Sequence, residues 1–425
     1  MDGKRKTAYD ILLQVEKQQS YSQLALKQGL DPQDPDAPFV RRLVYGVIEQ
    51  KIWLDYHLNQ LLRMGTKSSS PELLTLLRLG LYQLAFMQSV PAYAAVSETV
   101  DMAGRLCPGR EGLVNAVLRN YRRRKKDLPL PSWDTDPLSH LSVRYSCDVE
   151  IIRHFTEEFG WEEAIEILRF ASQAPPLFVR VNTGRIRLAE AEERLCQEGF
   201  TVARSDLSPR AFSLSGPAVS RTDLYRQGYI SIQSEESCYV ADIADPKPGD
   251  LVIDMCAAPG GKTGAMGETM RNKGKIIALD PYPHRTDLIK KEGARLHLDI
   301  LEVETKDASL YRKEWDATAD LVLCDVPCSG LGVLRRKPEL KYGMGNGQHE
   351  PLPLLQERIL LTGSRYVKEG GRLIYSTCTL KREENEERIE TFLQRNKTFT
   401  LLFSRLLTPF GDHKDGFYIA VMQRK

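Results

Sequence analysis

The sequence predicts a three-part chain: an all-helical N-terminal bundle, a small α+β unit and a C-terminal doubly wound α/β domain. Three observations carry this expectation. Apolar residues recur at helical spacing between residues 4 and 126; the run DLPLPSWDTDPLS then breaks that period with three prolines; and from about residue 228 short apolar runs alternate with helical segments. At 425 residues the chain exceeds the ~100–200 residues of one typical domain, so several domains are expected.

In the first part, Ala8, Ile11, Leu12 and Val15 follow the i, i+3, i+4, i+7 pattern, and FVRRLVYGVIEQKIWLDYHLNQLL and PELLTLLRLGLYQLAFM repeat it with long apolar faces. In SSSPELL the serine before Pro71 suits an N-cap and Pro71 a first helical turn, while Pro91 opens the next segment. This bundle is placed at residues 1–127. The proline-rich run marks a linker near 127–140. Residues 128–227 read as connecting helices followed by the small α+β unit, with PLFVRVNT as a strand and RLAEAEERLCQEG as a helix. From 228 to 425, DLVIDMC, KIIALD, DILEVE, DLVLCD and GRLIYST are strand-like runs spaced by helices, the pattern of a mainly parallel sheet, and GFYIAVMQRK is a further strand suited to closing it antiparallel.

Charge is unevenly spread. The whole chain carries +2, but residues 1–127 hold 19 Lys and Arg against 13 Asp and Glu, a balance of +6 that leaves −4 for the rest. The excess gathers in LRNYRRRKK, where Arg119, Arg122, Arg123, Arg124, Lys125 and Lys126 surround Tyr121. Such a run meets phosphate backbones; equally, it is a solvated helix end whose cations complement the C-terminal dipole. The eight cysteines show no CxxC pair or regular spacing, so reduced thiols are expected, with neither a disulfide framework nor a metal site. No apolar run approaches the ~18 residues of a membrane span, and the basic N-terminus leads into an amphipathic stretch, so a cytoplasmic protein with no membrane partner is expected.

The stretch DLVIDMCAAPGGKTGAM runs from a strand through a small-residue turn into a helix, the place where an open α/β sheet binds a nucleotide-like ligand. A phosphate-cradling P-loop needs a glycine five positions before Gly261, and Cys256 stands there. Asp280 ends the next strand, roughly at the offset where a carboxylate receives ribose hydroxyls, yet the dinucleotide GxGxxG fingerprint is absent. A ribose-bearing ligand other than NAD fits, S-adenosylmethionine among them, with Asp307 after the third strand placed for an adenine amine. Each aspartate alone is equally a turn or helix cap.

Two thiols stand apart. LCDVPCSG and YSTCTL place Cys328 and Cys378 at the carboxyl ends of two strands, fifty residues apart in sequence and potential neighbours in space. Cys107, Cys147, Cys196, Cys238 and Cys324 read instead as small buried hydrophobes. A thiolate beside S-adenosylmethionine points to cytosine chemistry: addition to C6 makes C5 enamine-like and able to accept a methyl group. Asp325 is placed to meet the Watson–Crick edge that must be protonated or hydrogen-bonded during attack. Residue chemistry leaves open which cysteine attacks.

The motifs DMCAAPGGKT, DVPCSG and STC, in this order, with KDGFYIA at the end, resemble the RNA cytosine-5 methyltransferases over about 228–425. PPLFVRVNT and GYISIQSEES resemble the small RNA-facing unit preceding their catalytic domain. LRLGLYQLAF, VPAYAAVSETV and LVNAVLRN are similar to the NusB-like domain of the RsmB/Sun-type 16S rRNA branch, so the resemblance spans nearly the whole chain. It implies a Rossmann-like catalytic domain, S-adenosyl-L-methionine as cofactor and 16S rRNA as substrate, free or in an early small-subunit particle; separately, a monomer is expected. Residue by residue it implies that Cys256, Ala257, Ala258, Pro259, Gly260, Gly261 and Lys262 wrap the cofactor, that Asp280 holds its ribose and Asp307 its adenine end, and that Asp325 serves the methyl-side pocket or target base. Arg285 matches a family arginine of open contact. Cys378 becomes the nucleophile and Cys328 the thiol that helps release product. The rival substrate is tRNA; a non-catalytic RNA-binding or antitermination-like factor is the alternative from another class.

Overall fold

The computed structural model describes residues 2–18, 22–31, 34–343 and 351–425. It divides into two compact units: one reaches Gln173 and takes back a segment from Leu334, and the other comprises Ala174–Val333 and the C-terminal part to Lys425.

The first unit is helical: α1 (Gly3–Gln18), α2 (Ser22–Gly29), α3 (Ala37–Glu49), α4 (Lys51–Leu61), α5 (Pro71–Phe86), α6 (Ala92–Leu106), α7 (Glu111–Arg124), α8 (Pro137–Tyr145), α9 (Val149–Phe159) and α10 (Trp161–Ala171). The face read from the sequence is the core face: Ala8, Ile11, Leu12 and Val15 are all buried, packed with Leu43, Leu76, Leu77 and Leu118. Each such leucine contributes roughly 1.5–3 kcal/mol relative to exposure. Ser70 caps α5 by accepting from Leu73 N at 3.3 Å, with Pro71 at the first position. The predicted linker near 127–140 is shorter than expected, because Asp136 accepts from Ser139 N at 3.1 Å and Pro137 starts α8; the Asp-Pro pair is a helix start. The returning segment joins this unit through the Tyr342 hydroxyl, which lies 2.8 Å from Glu49 O and 3.1 Å from Ser146 Oγ and receives Lys51 N at 3.1 Å. Residues 128–227 are therefore shared: α8, α9 and α10 pack with the bundle, and the rest belongs to the second unit.

That second unit opens with β1 (Leu177–Val181), α11 (Leu188–Gln197), β2 (Thr201–Arg204), β3 (Ala211–Ser215), α12 (Asp223–Arg226) and β4 (Ile230–Ile232). Its strands form an antiparallel sheet in the order β2-β3-β1-β4. Then follow α13 (Glu235–Ala244), β5 (Leu251–Asp254), α14 (Gly261–Thr269), β6 (Lys275–Asp280), α15 (Pro283–Leu296), β7 (Leu301–Thr305), β8 (Ala319–Asp325), α16 (Leu352–Tyr366), β9 (Val367–Thr377), α17 (Glu386–Arg395), β10 (Phe399–Leu407) and β11 (Phe417–Arg424). The large sheet runs β10-β11-β9-β8-β5-β6-β7, parallel from β9 to β7. β11 lies antiparallel to β9, as its sequence suggested, but β10 forms the edge beyond it. The central strands are apolar on both faces because helices cover both. Chain order reverses between β5 and β8, so the ends of these two strands, Asp254 and Asp325, flank the switch point at which open α/β sheets bind ligands.

Arginines, Arg180 and Arg210 buried and Arg295 partly so, fasten the small sheet to helices that flank the large one. Arg180 on β1, fully buried, donates to Glu268 of α14 from Nε (2.8 Å) and Nη2 (2.7 Å) and to Gly261 O (2.9 Å). Arg210 reaches Asp242 on α13 (2.6 Å) and Thr269 on α14 (3.0 Å), and Arg295 on α15 donates to Ile230 O (2.9 Å) and Ser231 Oγ (2.6 Å). Such pairs survive burial only because both partners are hydrogen-bonded in good geometry.

Candidate active site

The loop after β5 is shaped by its small residues. Gly260 sits at φ +106°, where any L side chain is strained, and a Cβ there would also crowd Ile289 Cα on α15 at 3.3 Å. Ala257 N donates to Leu279 O (2.8 Å) and Gly260 N to Ala257 O (2.7 Å), which folds residues 256–260 tightly over the ends of β5 and β6. Gly261 and Lys262 open α14, where backbone N–H groups lack intrahelical acceptors. Beside them Asp254 is 1% exposed and accepts from Thr263 Oγ1 at 2.7 Å; burial raises its carboxyl to about 7, against the Thr263 bond and with the nearby Asp325 adding to the rise.

Lys262 crosses from this loop to β8, where its Nζ donates to Asp325 Oδ2 at 2.7 Å. Burial alone pulls the ammonium down, but the Asp325 carboxylate outweighs it and Lys262 stays above the ordinary lysine value. Ser376 Oγ donates to Asp325 Oδ1 at 2.7 Å, a bond set by register, since β8 and β9 pair Asp325 with Ser376. Three residues past Asp325 and two past Ser376 lie the thiols. Cys328 Sγ and Cys378 Sγ are 3.2 Å apart, and Cys378 N donates to Cys328 Sγ at 3.3 Å. The hydrogen bond to Cys378, with burial behind it, holds the Cys328 thiol well above the usual range, so Cys328 keeps its proton and can present it to the neighbouring sulfur. The Cys378 loop is fixed from a third side: Gly332 N donates to Cys378 O (3.0 Å) and Gly416 N to Gly332 O (2.8 Å), an approach of two backbones that a Cβ on either glycine would block.

The remaining sequence-predicted residues fall as follows. Asp280 ends β6 beside the loop, its carboxylate accepting from Tyr282 N (3.1 Å) and lying 3.4 Å from Arg285 Nε; burial raises it, against Arg285. Arg285 also donates to Ala258 O at 3.4 Å, so it bridges the acid and the loop. Asp307 is exposed beyond β7 and accepts from Ser309 N at 2.8 Å in a turn. Arg119, Arg122, Arg123 and Arg124 lie exposed on the second half of α7, with Lys125 at its C-cap and Lys126 beyond; among the described residues these six cations form no ion pair with a carboxylate. Of the five thiols read as buried hydrophobes, Cys147, Cys238 and Cys324 are buried and Cys107 is partly so, but Cys196 is exposed. Ala191 and Leu195 take the inner face of α11, which turns position 196 about 100° outward. Among the described residues no cluster of three or more His, Cys, Asp or Glu side chains could hold a metal ion, and no helix is long and apolar enough to cross a membrane.

Sequence reasoning passed over Thr263, Ser376, Arg180, Gln233 and Glu268. The first two lie inside the quoted catalytic motifs, next to the residues that drew attention, and Arg180 and Gln233 stand in PPLFVRVNT and GYISIQSEES, where the sequence reading places no site. Gln233 donates to Ser237 Oγ (2.8 Å), accepts from Arg180 and lies against Gly261.

A mixed seven-stranded sheet with a small-residue turn at its switch point and a thiol pair beside it defines a methyltransferase of the Rossmann-like class. The family model described as 16S rRNA methyltransferase RsmB/F matches residues 241–423, the NusB family model residues 2–123, and the ferredoxin-like domain of RsmF/B-like methyltransferases residues 151–220. The chain is 35% identical to the probable ribosomal RNA small subunit methyltransferase B of Bacillus subtilis (strain 168), covering 99% of this chain and 98% of that one. It is 32% identical, over the full length of both, to the protein of the same name from Synechocystis sp.. Among solved structures, PH0851 superposes with a TM-score of 0.83 at 25% identity over 100% of this chain and 99% of that one. A methyltransferase homolog from Pyrococcus horikoshii gives 0.60 at 28% identity, covering 68% of this chain and 100% of the other. The chain belongs to the RsmB/F family of 16S rRNA methyltransferases.

Proposed function

We propose that the protein transfers a methyl group from S-adenosylmethionine to C5 of one cytosine in 16S rRNA, through a covalent bond between Cys378 and C6. The observation that carries this reading is the pair of thiols 3.2 Å apart, Cys328 three residues beyond an Asp325 held by both Lys262 and Ser376, and Cys378 two beyond Ser376. The donor set suits the cofactor: helix-terminal N–H groups at Gly261 and Lys262, the tight turn of residues 256–260 and the Asp280 carboxylate on the neighbouring strand offer partners for a ribose and a charged amino-acid tail. When bound, S-adenosylmethionine supplies an electrophilic methyl group.

The chain's own residues account for the rest. The Cys378 thiolate adds to C6, forming a carbon–sulfur bond and raising electron density at C5. Asp325 receives a hydrogen bond on each oxygen and is held as an acceptor, which suits the exocyclic amine of cytosine; the ammonium of Lys262 on the same carboxylate is the donor that attack requires at N3. Once C5 carries the methyl group, a solvent base takes its proton, the electrons of that C–H bond restore the C5–C6 double bond, and the carbon–sulfur bond breaks to expel the Cys378 thiolate, which the proton-bearing Cys328 stabilises. The target base must be unstacked, because a thiolate reaches C6 only from the ring face. The α7 cations would grip the RNA backbone, with the bundle over 1–127 as the RNA-holding part and 228–425 as the catalytic part.

Wild type, Cys378→Ala and Cys328→Ala incubated with methyl-labelled cofactor and unmodified 16S or tRNA transcripts test this reading. Cys378→Ala should transfer no methyl group, and Cys328→Ala should accumulate a denaturation-resistant protein–RNA adduct. Full activity of Cys378→Ala sinks the assignment, and methylation of tRNA alone moves the substrate. S-adenosylhomocysteine should raise the melting temperature, and Asp280→Ala should weaken that shift.

A further inference from the structure

The charged tail of LIYSTCTLKREENEE lies outside the chemistry described so far, yet two of its residues are wholly enclosed: Glu384 is 2% exposed and Asn385 0%. Charged and amide side chains are buried only where their hydrogen-bonding capacity is used. Glu384 Oε2 accepts from Ser329 N (2.9 Å), the residue after Cys328, and from Gln356 Nε2 (2.8 Å). The same Gln356 nitrogen donates to Pro327 O (2.8 Å), the residue before Cys328. Glu384, directly and through Gln356, thus holds both flanks of Cys328. Asn385 does the same for the other thiol: its Oδ1 accepts from Thr377 Oγ1 (2.5 Å) and its Nδ2 donates to Thr379 O (3.0 Å), the residues on either side of Cys378. The two brackets are tied to each other, since Ser329 Oγ and Thr379 Oγ1 share a hydrogen bond of 2.7 Å, and the Tyr375 hydroxyl pins the turn by donating to Glu384 O (2.6 Å).

We propose that Glu384 and Asn385 are positioning residues that each fix one thiol, Glu384 setting the release thiol Cys328 and Asn385 the attacking thiol Cys378. Because the two residues are consecutive in the chain and enclosed in one turn, the spacing between the thiols is set by a single rigid dipeptide. This inference rests on the roles given to the cysteines under Proposed function. It explains why a turn so rich in charge follows the second cysteine directly: the turn must double back to reach the Cys328 loop, fifty residues earlier. Neither residue takes part in making or breaking a bond, so each should affect chiefly the step served by its own thiol.

The test uses full-length protein, 16S transcript and methyl-labelled S-adenosylmethionine, reading single-turnover adduct formation separately from multiple-turnover product. Glu384→Ala should form adduct at close to the wild-type rate but release it at least about tenfold more slowly, whereas Asn385→Ala should slow adduct formation by up to about a hundredfold and accumulate none, as expected for loosening a reacting group by an ångström or less. The conservative Asn385→Asp keeps the acceptor and should recover part of the attack rate. Stabilisation by S-adenosylhomocysteine reports an intact fold and cofactor pocket; should Glu384→Ala lose it, Gln356→Met, which removes only the bond to Pro327 and one bond to Glu384, should show the same slow release. Equal loss in both steps for both variants, or wild-type partition in both, overturns the proposal. If Cys378→Ala itself retained activity, the underlying reading would fail instead, so the two failures are distinguishable.

Discussion

Arginine is used in opposite ways in the two units. In the sheet unit Arg180 is fully buried, its guanidinium shared among Glu268, Gln233 and Gly261 O, while on α7 Arg119, Arg122, Arg123 and Arg124 stand in solvent without a carboxylate partner among the described residues. The buried cation is a structural clamp between β1 and α14, the helix that begins after the Gly260 turn. The exposed ones are solvated charge, the kind that under the proposed function would act on association with RNA. A count of Lys and Arg per domain sees the second group and misses the first.

That contrast can be broken from its strong end. Arg180→Ala leaves Glu268 enclosed without its main partner, and should cost about 3–5 kcal/mol of stability, read by chemical denaturation. Arg180→Met with Glu268→Leu should recover most of that loss, because the uncompensated charge is gone. A recovery absent in the double variant would show that the arginine acts chiefly through Gly261 O and Gln233. The next effect concerns the other enclosed charge, Asp254. Its carboxyl is raised to about 7 in the folded protein from an ordinary 3.8, so the folded state binds the extra proton between those values. Its contribution to stability is therefore full below about pH 4 and falls away as pH rises towards about 7, by a few kcal/mol, and Asp254→Asn should flatten that part of the stability–pH curve. On the weak side, Arg122→Ala and Arg123→Ala should leave the free energy of unfolding within about 0.5 kcal/mol of wild type. Each should lower the slope of log affinity for RNA against log salt by about 0.7–0.9. The smallest change is expected at Arg204, whose pair with Glu192 is exposed: Glu192→Ala should cost under about 1 kcal/mol, fading in high salt.

Much of the catalytic half could be read from the sequence because its signals are local. Asp280 and Asp325 stand at strand ends, Gly260 in a turn that needs its positive φ, and Cys328 and Cys378 on loops at one edge of the sheet. The failures have equally local causes. Asp136-Pro137 looked like a breaker but caps a helix, and Cys196 was taken as a core thiol although its neighbours Ala191 and Leu195 already fill the inner face of α11. β10 went unread because its exposed leucines, Leu401 and Leu402, are consecutive and blur the alternation that marks a half-buried strand.

What the sequence determined by itself is the kind of chemistry each position can supply and the secondary structure that carries it, since side-chain identity and apolar period are properties of neighbouring residues. The tertiary structure decided who meets whom. The 3.2 Å separation of two thiols fifty residues apart depends on the β8–β9 register that pairs Asp325 with Ser376, and on a turn that sends Glu384 back to Ser329 while Asn385 stays beside Thr377. Those contacts join segments distant in the chain, and each bond forms only once the sheet has fixed where both ends stand.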